Sequence, residues 1–280
     1  MAWFYLTLNA MILLAAGLVG WRSRRFGSGA LVGLFLIAGA LMGLRTFLHL
    51  RPEYEQCLLD LSYDYVYFSA WEAPVALFMT FALACRLETR WVRRFTLASL
   101  VFLAPIFLWN SLVPCLQPHY AMAARFDGDN VCRQSTDYSC GPAAAVTVLK
   151  RLGKHISEGE MARLCLLRPD QGVTVLELCR GMNVALRGDP VRATIKRLEA
   201  KELDTEAAPF LAEIRRPPSS EHCVVVLEVD RDVLVLADPA YGKRVCTRDE
   251  FLRQWTGLAI TLTPTVQTAR SPFLADAGRP

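Results

Sequence analysis

Histidine is scarce in this sequence, with four among 280 residues, and no CxxC pair or His/Cys cluster stands beside them. A zinc or other thiolate–imidazole centre needs several such ligands at short spacing, so no metal site and no cofactor are expected. The phosphate-binding pattern GxxxxGK[ST] is missing too. No ATP site of that kind is therefore expected. Net charge is only +4, too weak and too dispersed to point to nucleic acid as a partner. Charge is also missing from one half of the chain. Residues 1–119 hold 9 of the 31 basic and 6 of the 27 acidic residues. Hydrophobic residues nevertheless make up 53% of the whole. An ordinary soluble enzyme does not separate its charged and apolar residues in this way.

Four apolar runs fill the charge-poor half, at about 2–21, 28–50, 64–85 and 95–114. Each approaches or exceeds the roughly 20 residues that carry a helix across a bilayer. A four-helix transmembrane module over 1–119 is the expectation, with the lipid bilayer as a partner. The start Met-Ala-Trp-Phe-Tyr lacks the basic residues of a cleavable signal peptide. Arg22, Arg24 and Arg25 lie in the first loop, and Arg86, Arg90, Arg93 and Arg94 in the third. The middle loop sets Arg51 against Glu53, Glu55 and Asp60. Basic loops stay cytoplasmic. Both termini and the charged half then lie outside the cytoplasmic membrane, which in a bacterium with two membranes is the periplasm. Arg45 and Glu72 sit within the spans at similar depth and are candidates to pair.

Residues 120–264 carry the signals of a compact α+β domain, and 265–280 read as a loose tail. Ser157 with Glu160, Thr174 with Glu177 and Thr247 with Glu250 have the capping-box spacing. A helix over 141–152 ends at Gly153, and a short one is expected near 196–204. Strands are expected at 209–215, 223–229, 233–237, 243–246 and 258–263, with Asp230-Arg-Asp232 turning a hairpin.

The chemistry concentrates in Gln134-Ser-Thr-Asp-Tyr-Ser-Cys140-Gly-Pro. Cys140 stands at the opening of a helix, where free amides and the helix dipole favour thiolate over thiol. Gln134 lies six residues before it (140 − 134), within reach to donate to a developing oxyanion together with the Cys140 backbone N–H. The base must be His155 or His222. His155 falls in a Gly-Lys-His turn and reads as a surface residue, whereas His222 opens the most apolar strand. Asp238 comes sixteen residues after His222 (238 − 222), at the end of the next strand. A hairpin brings the two together, so Asp238 can hold one ring nitrogen while the other faces Cys140.

The run Gln134 to Ala144, then His222-Cys-Val-Val-Val, then Val235-Leu-Ala-Asp238-Pro, and Asp249-Glu-Phe251 before Trp255-Thr-Gly257 resembles the bacteriocin-processing leader peptidases. These are papain-like cysteine peptidase domains that cut after a Gly-Gly pair. The resemblance runs from about Arg133 to Leu262. It implies helices packed on an antiparallel sheet, with Cys140 as nucleophile, His222 as general base, Asp238 as its orienter and Gln134 as oxyanion donor. In the transporters of that family the peptidase precedes the membrane helices and stays in the cytosol. Here it follows them, and the loop charges place it outside.

The expected function is a membrane-anchored cysteine endopeptidase acting on leader-type or exported peptides, with a separate exporter as a candidate partner. A peptide-binding module without catalysis, and a papain-like transamidase or cell-wall peptide hydrolase, are the alternatives. Of the nine cysteines, Cys165 and Cys179 read as core residues. Cys57 with Cys115, or Cys223 with Cys246 on neighbouring strands, are candidate disulfides in an exported domain.

Overall fold

The structure, a computed structural model, describes residues 22, 27–56, 90, 91, 94, 98, 122–169, 171–216 and 220–265. The chain divides into two compact units, Met1–His119 and Tyr120–Pro280. In the first, helix α1 spans Ser28–Leu50 and the short α2 spans Pro52–Glu55. The break between them has a local cause. Pro52 disfavours helical geometry in the residue before it, and Arg51 takes φ −131°, ψ 69°. Among the described residues one stretch, Val32–Leu50, is long and apolar enough to cross a membrane, with mean hydropathy 1.6. Apart from Ala98, the other three apolar runs lie outside the described residues, as do Glu72 and the side chain of Arg45. So do Cys57, Cys85, Cys115 and residues 266–280.

The second unit opens with a two-stranded ribbon, β1 (Arg125–Phe126) and β2 (Cys132–Arg133). Helices α3 (Cys140–Arg151), α4 (Glu158–Leu164) and α5 (Val175–Ala185) follow. Then come strands β3 (Val191–Arg197), β4 (Phe210–Arg216), β5 (Ser220–Val229), β6 (Val233–Asp238) and β7 (Gly242–Thr247). Helix α6 (Arg248–Gln254) leads directly into β8 (Trp255–Pro264). The six long strands form one antiparallel sheet in the order β3-β8-β4-β5-β6-β7.

Local chemistry sets the helix ends. Thr174 and Thr247 each accept from the backbone N–H three residues on, and Glu177 and Glu250 return the bond, completing two capping boxes. Ser157 accepts from the Glu160 N–H at 3.0 Å. At the other end of α3, Gly153 adopts φ +77°. The N–H groups of Gly153 and Lys154 then close on the carbonyls of Lys150 and Leu149, a Schellman closure.

Burial decides the strands. Val224, Val225 and Val226 are all fully buried, so β5 is covered on both faces. Helix α3 packs on it, and α6 packs on the adjacent β4 and β6. Ile214, Val224, Leu234 and Leu236 join Phe251 of α6 in one apolar cluster.

Two expectations are corrected here. The segment expected to be helical near 196–204 is largely otherwise. Ala193 and Ile195 alternate inward in β3, which ends at Arg197, and only a 3₁₀ turn over Ala200–Glu202 remains. Cys223 and Cys246 are both free thiols. They sit on β5 and β7, with β6 between them, so they are not on neighbouring strands. Cys165 and Cys179 are buried in the core, as expected.

The capping box at Thr174 fixes the start of α5. Thr174→Ala is expected to cost about 1 kcal/mol and Thr174→Ser a few tenths, read as a shift in urea midpoint at constant slope.

Candidate active site

Cys140 is the first residue of α3 and is half-buried. Its approach is a tight turn in which Ser139 Oγ donates to the Thr136 carbonyl and accepts from the Thr136 N–H, both at 3.1 Å. Ser139 is thereby committed to the turn and makes no side-chain cap on the helix, leaving amides at the helix start to the sulfur. Gly141 allows this end of the helix to lie close to its neighbour. A Cβ there would stand 2.5 Å from Cγ2 of Val173.

His222 lies near the start of β5, only 6% exposed. Its Nε2 is 2.8 Å from Oδ1 of Asp238, the last residue of β6. That leaves Nδ1 for the hydrogen bond that joins the ring to Cys140. Cys140, His222 and Asp238 thus form one hydrogen-bonded row from a helix start across two strands. Gln134 is tied to the row through its backbone, its N–H donating to the Pro239 carbonyl at 3.0 Å. Its side-chain Nε2 donates to the Thr136 carbonyl at 2.9 Å, and its buried Oε1 has no protein partner. One of the two amide hydrogens is therefore engaged within the loop. His155 is exposed on the surface, as the sequence implied.

Electrostatics follow from the geometry. Burial alone raises the Cys140 thiol. The hydrogen bond and charge of His222, with backbone N–H groups of Cys223 and Gly141, more than reverse this and hold it below an ordinary thiol. For His222, burial works toward the neutral ring, but bonds to Asp238 and Cys140 outweigh it and raise the imidazole. Both shifts favour a thiolate–imidazolium pair. Asp238 is fully buried, which raises its carboxyl. His222, the Ala240 N–H and Arg216 overcome that and hold it at about 2.

Three side chains around the row escaped the sequence reading. Arg216 Nη2 donates to Oδ2 of Asp238 at 2.6 Å, and Arg244 Nε stands 3.6 Å from the same oxygen. Glu158, fully buried on α4, accepts from both the N–H (2.9 Å) and Oγ (2.5 Å) of Ser135, beside Gln134. None belongs to a motif, and their placement depends on sheet register and helix packing. A cleft opens over the sulfur, walled by Val173, Leu178 and Leu211 and edged by Glu213 and Glu221. Among the described residues no group of His, Cys, Asp and Glu is arranged to hold a metal.

Residues 129–267 match the Peptidase C39 family. An uncharacterized protein of Methanothermobacter marburgensis is 40% identical over 133 residues, covering 47% of this chain and 87% of that protein. The chain belongs to the peptidase C39 family. It is accordingly a cysteine peptidase. The probable functional amyloid protease FapD of Pseudomonas fluorescens is 29% identical over 142 residues, covering 48% of this chain and 60% of FapD. Among solved structures, the peptidase domain of Streptococcus ComA, a bi-functional ABC transporter, is similar at 23% identity and TM-score 0.44. That match covers 49% of this chain and all but 1% of that domain, its coverage being 99%.

The buried Asp238 carboxylate is expected to leave a signature on the acid side of the stability profile. Asp238 sits at about 2 in the fold against an ordinary 3.8. The stabilisation is present above the ordinary value and is lost as pH falls toward about 2. Asp238→Asn is expected to lower stability at neutral pH by on the order of 2 kcal/mol. The same variant should lose less on acidification, as measured by urea unfolding at about pH 6 and about pH 3.

Proposed function

We propose that this chain is a membrane-anchored cysteine endopeptidase that cuts leader-type or exported peptides after a Gly-Gly pair. Cys140 acts as nucleophile, His222 as general base and acid, Asp238 as its orienter, and Gln134 as a donor to the oxyanion. The observation that carries this reading is the hydrogen-bonded row from Cys140 through His222 to Asp238, with both ends of the imidazole engaged.

The chemistry proceeds in two displacements. The Cys140 thiolate attacks the scissile carbonyl carbon, and the oxyanion so formed meets the Cys140 backbone N–H and the free hydrogen of the Gln134 amide. Imidazolium His222 protonates the leaving amine through Nδ1, and the C–N bond breaks to leave a thioester. Water, deprotonated by the now neutral His222, attacks that thioester and releases the acid. The proton returned to His222 restores the starting pair. Throughout, Asp238 keeps Nε2–H occupied and so prevents the ring from presenting the wrong nitrogen.

The anchor in this proposal is the four-helix module over 1–119, followed by the peptidase domain over 120–264 and a tail over 265–280. Val32–Leu50 supports one span by length and apolarity. The arginine-rich first and third loops support an arrangement with the peptidase on the periplasmic side of the cytoplasmic membrane. Leader processing is supported by a relative, the pediocin PA-1 transport/processing ATP-binding protein PedD of Pediococcus acidilactici, at 28% identity. That relative is matched over only 18% of its length. In our reading a separate exporter moves the peptide, and this chain cuts it without ATP.

The full-length chain, incubated with a synthetic peptide carrying an apolar leader and Gly-Gly, should release the C-terminal product by cleavage after the second glycine, as read by mass spectrometry. Cys140→Ala should abolish release while leaving thermal unfolding unchanged. Cleavage by Cys140→Ala overturns the nucleophile, and cleavage elsewhere overturns the Gly-Gly specificity. An alkaline phosphatase reporter fused after Arg270 should be active, and an inactive but stable fusion overturns the periplasmic side.

A further inference from the structure

Four neighbouring strands contribute one charged residue each to one end of the sheet. Ile214 of β4 pairs with His222 of β5, and Arg216 follows two residues on. Side chains alternate along a strand, so Arg216 projects on the same face as Ile214. On β6, Asp238 shares a face with Leu234 and Leu236, and Leu236 pairs with Arg244 of β7. Ile214, Val224, Leu234 and Leu236 belong to the apolar cluster on that face. The row Arg216, His222, Asp238, Arg244 therefore stands on a low-dielectric floor, where opposite charges interact strongly and unbalanced ones are costly.

A working cysteine–histidine pair holds a thiolate at Cys140 and an imidazolium at His222, while Asp238 is a buried carboxylate. Two anions face one cation. The carboxylate has two oxygens, and their partners differ. Oδ1 takes His222 Nε2 at 2.8 Å and the Ala240 N–H at 2.9 Å, whereas Oδ2 takes Arg216 Nη2 at 2.6 Å. Arg244 Nε, at 3.6 Å from Oδ2, lies beyond hydrogen-bond range. Arg216 is the cation that touches the second oxygen. It is itself held, its guanidinium stacking 4.9 Å from the ring centroid of Tyr241, which is 69% exposed.

We propose that Arg216 is a positioning residue for the peptidase reaction, pinning Oδ2 of Asp238 so that Oδ1 stays on His222 and supplying the countercharge that lets the Cys140 thiolate persist beside a buried carboxylate. This rests on the assignment of Cys140, His222 and Asp238 made above. Arg216 acts through Asp238 and touches no reacting atom. The other titratable and charged groups around the row are Cys223 and Glu221 on β5 and Glu213 on β4, with Arg215 and Arg197 acting on Glu213. The Arg133–Asp127 pair, reaching residues 240–242 from the β1–β2 ribbon, completes the set.

The test uses the full-length chain and iodoacetamide, with alkylation of Cys140 followed by mass spectrometry across pH, a readout that needs no substrate. Arg216→Met removes the charge and keeps most of the bulk. It should move the acidic midpoint of Cys140 alkylation up by about one pH unit and lower kcat on the Gly-Gly peptide about tenfold, with KM changed by less than about twofold. Arg216→Lys should restore most of the midpoint. In an Asp238→Asn background the carboxylate that Arg216 pins is gone, so adding Arg216→Met should change the midpoint by less than about half as much as it does in the wild-type chain. Tyr241→Ala, at an exposed position, should move the midpoint the same way by a smaller amount, and it serves if Arg216→Met fails to fold. An unchanged midpoint in Arg216→Met, or in Tyr241→Ala where that variant stands in, overturns the proposal. So does a shift that persists undiminished with Asp238→Asn. A wild-type Cys140 that titrates like an ordinary thiol overturns the underlying assignment instead.

Discussion

The bond between the Asp238 carboxylate and the His222 ring is the constraint on which the site depends. It occupies Nε2 and turns the other nitrogen toward Cys140. Asp238 is fully buried, and a buried carboxylate is tolerated only when it is paired and hydrogen-bonded. Here four donors or cations surround it, from β4, β5, the 238–240 turn and β7. The pairing that keeps the aspartate ionised is therefore the same pairing that aims the imidazole. Structure and chemistry draw on one set of contacts.

Around that bond the fold supplies two distinct environments. The start of α3 contributes amides and a partial positive charge to the sulfur. The end of the sheet contributes a charged row above an apolar floor. The loop from Arg133 to Ser139 joins them. Its Gln134 N–H holds the Pro239 carbonyl, Arg133 donates to the Ala240 carbonyl, and Ser135 hangs on buried Glu158. Helix start and sheet end are thus tied at several points, which limits relative movement of Cys140 and His222. An active site assembled from separate elements needs such ties to hold its geometry.

Much of the second unit was legible in one dimension because its signals are local. Capping pairs mark α5 and α6, Gly153 closes α3, and valine runs mark β5 and β6. The strand over 191–197 carries no such local signal. Val-Arg-Ala-Thr-Ile-Lys-Arg has charges spaced to suit either a helix or an exposed edge strand, and pairing with β8 decided for the strand. The supposed adjacency of Cys223 and Cys246 failed for a similar reason, since strand order in space is not settled by order in the chain.

The order of residues alone determined the elements with local codes, the apolar charge-poor first half, and the four residue types fit for thiol chemistry at a helix start and a hairpin end. Cys140, His222 and Asp238 were identifiable because each sits at an element boundary whose signal is short-range. Tertiary structure alone decided that Arg216 and Arg244 converge on Asp238, that Glu158 holds Ser135, and that Gln134 spends one amide hydrogen on Thr136. Those contacts arise from sheet register and helix packing between distant segments, and a local pattern carries no record of which distant partner will face it.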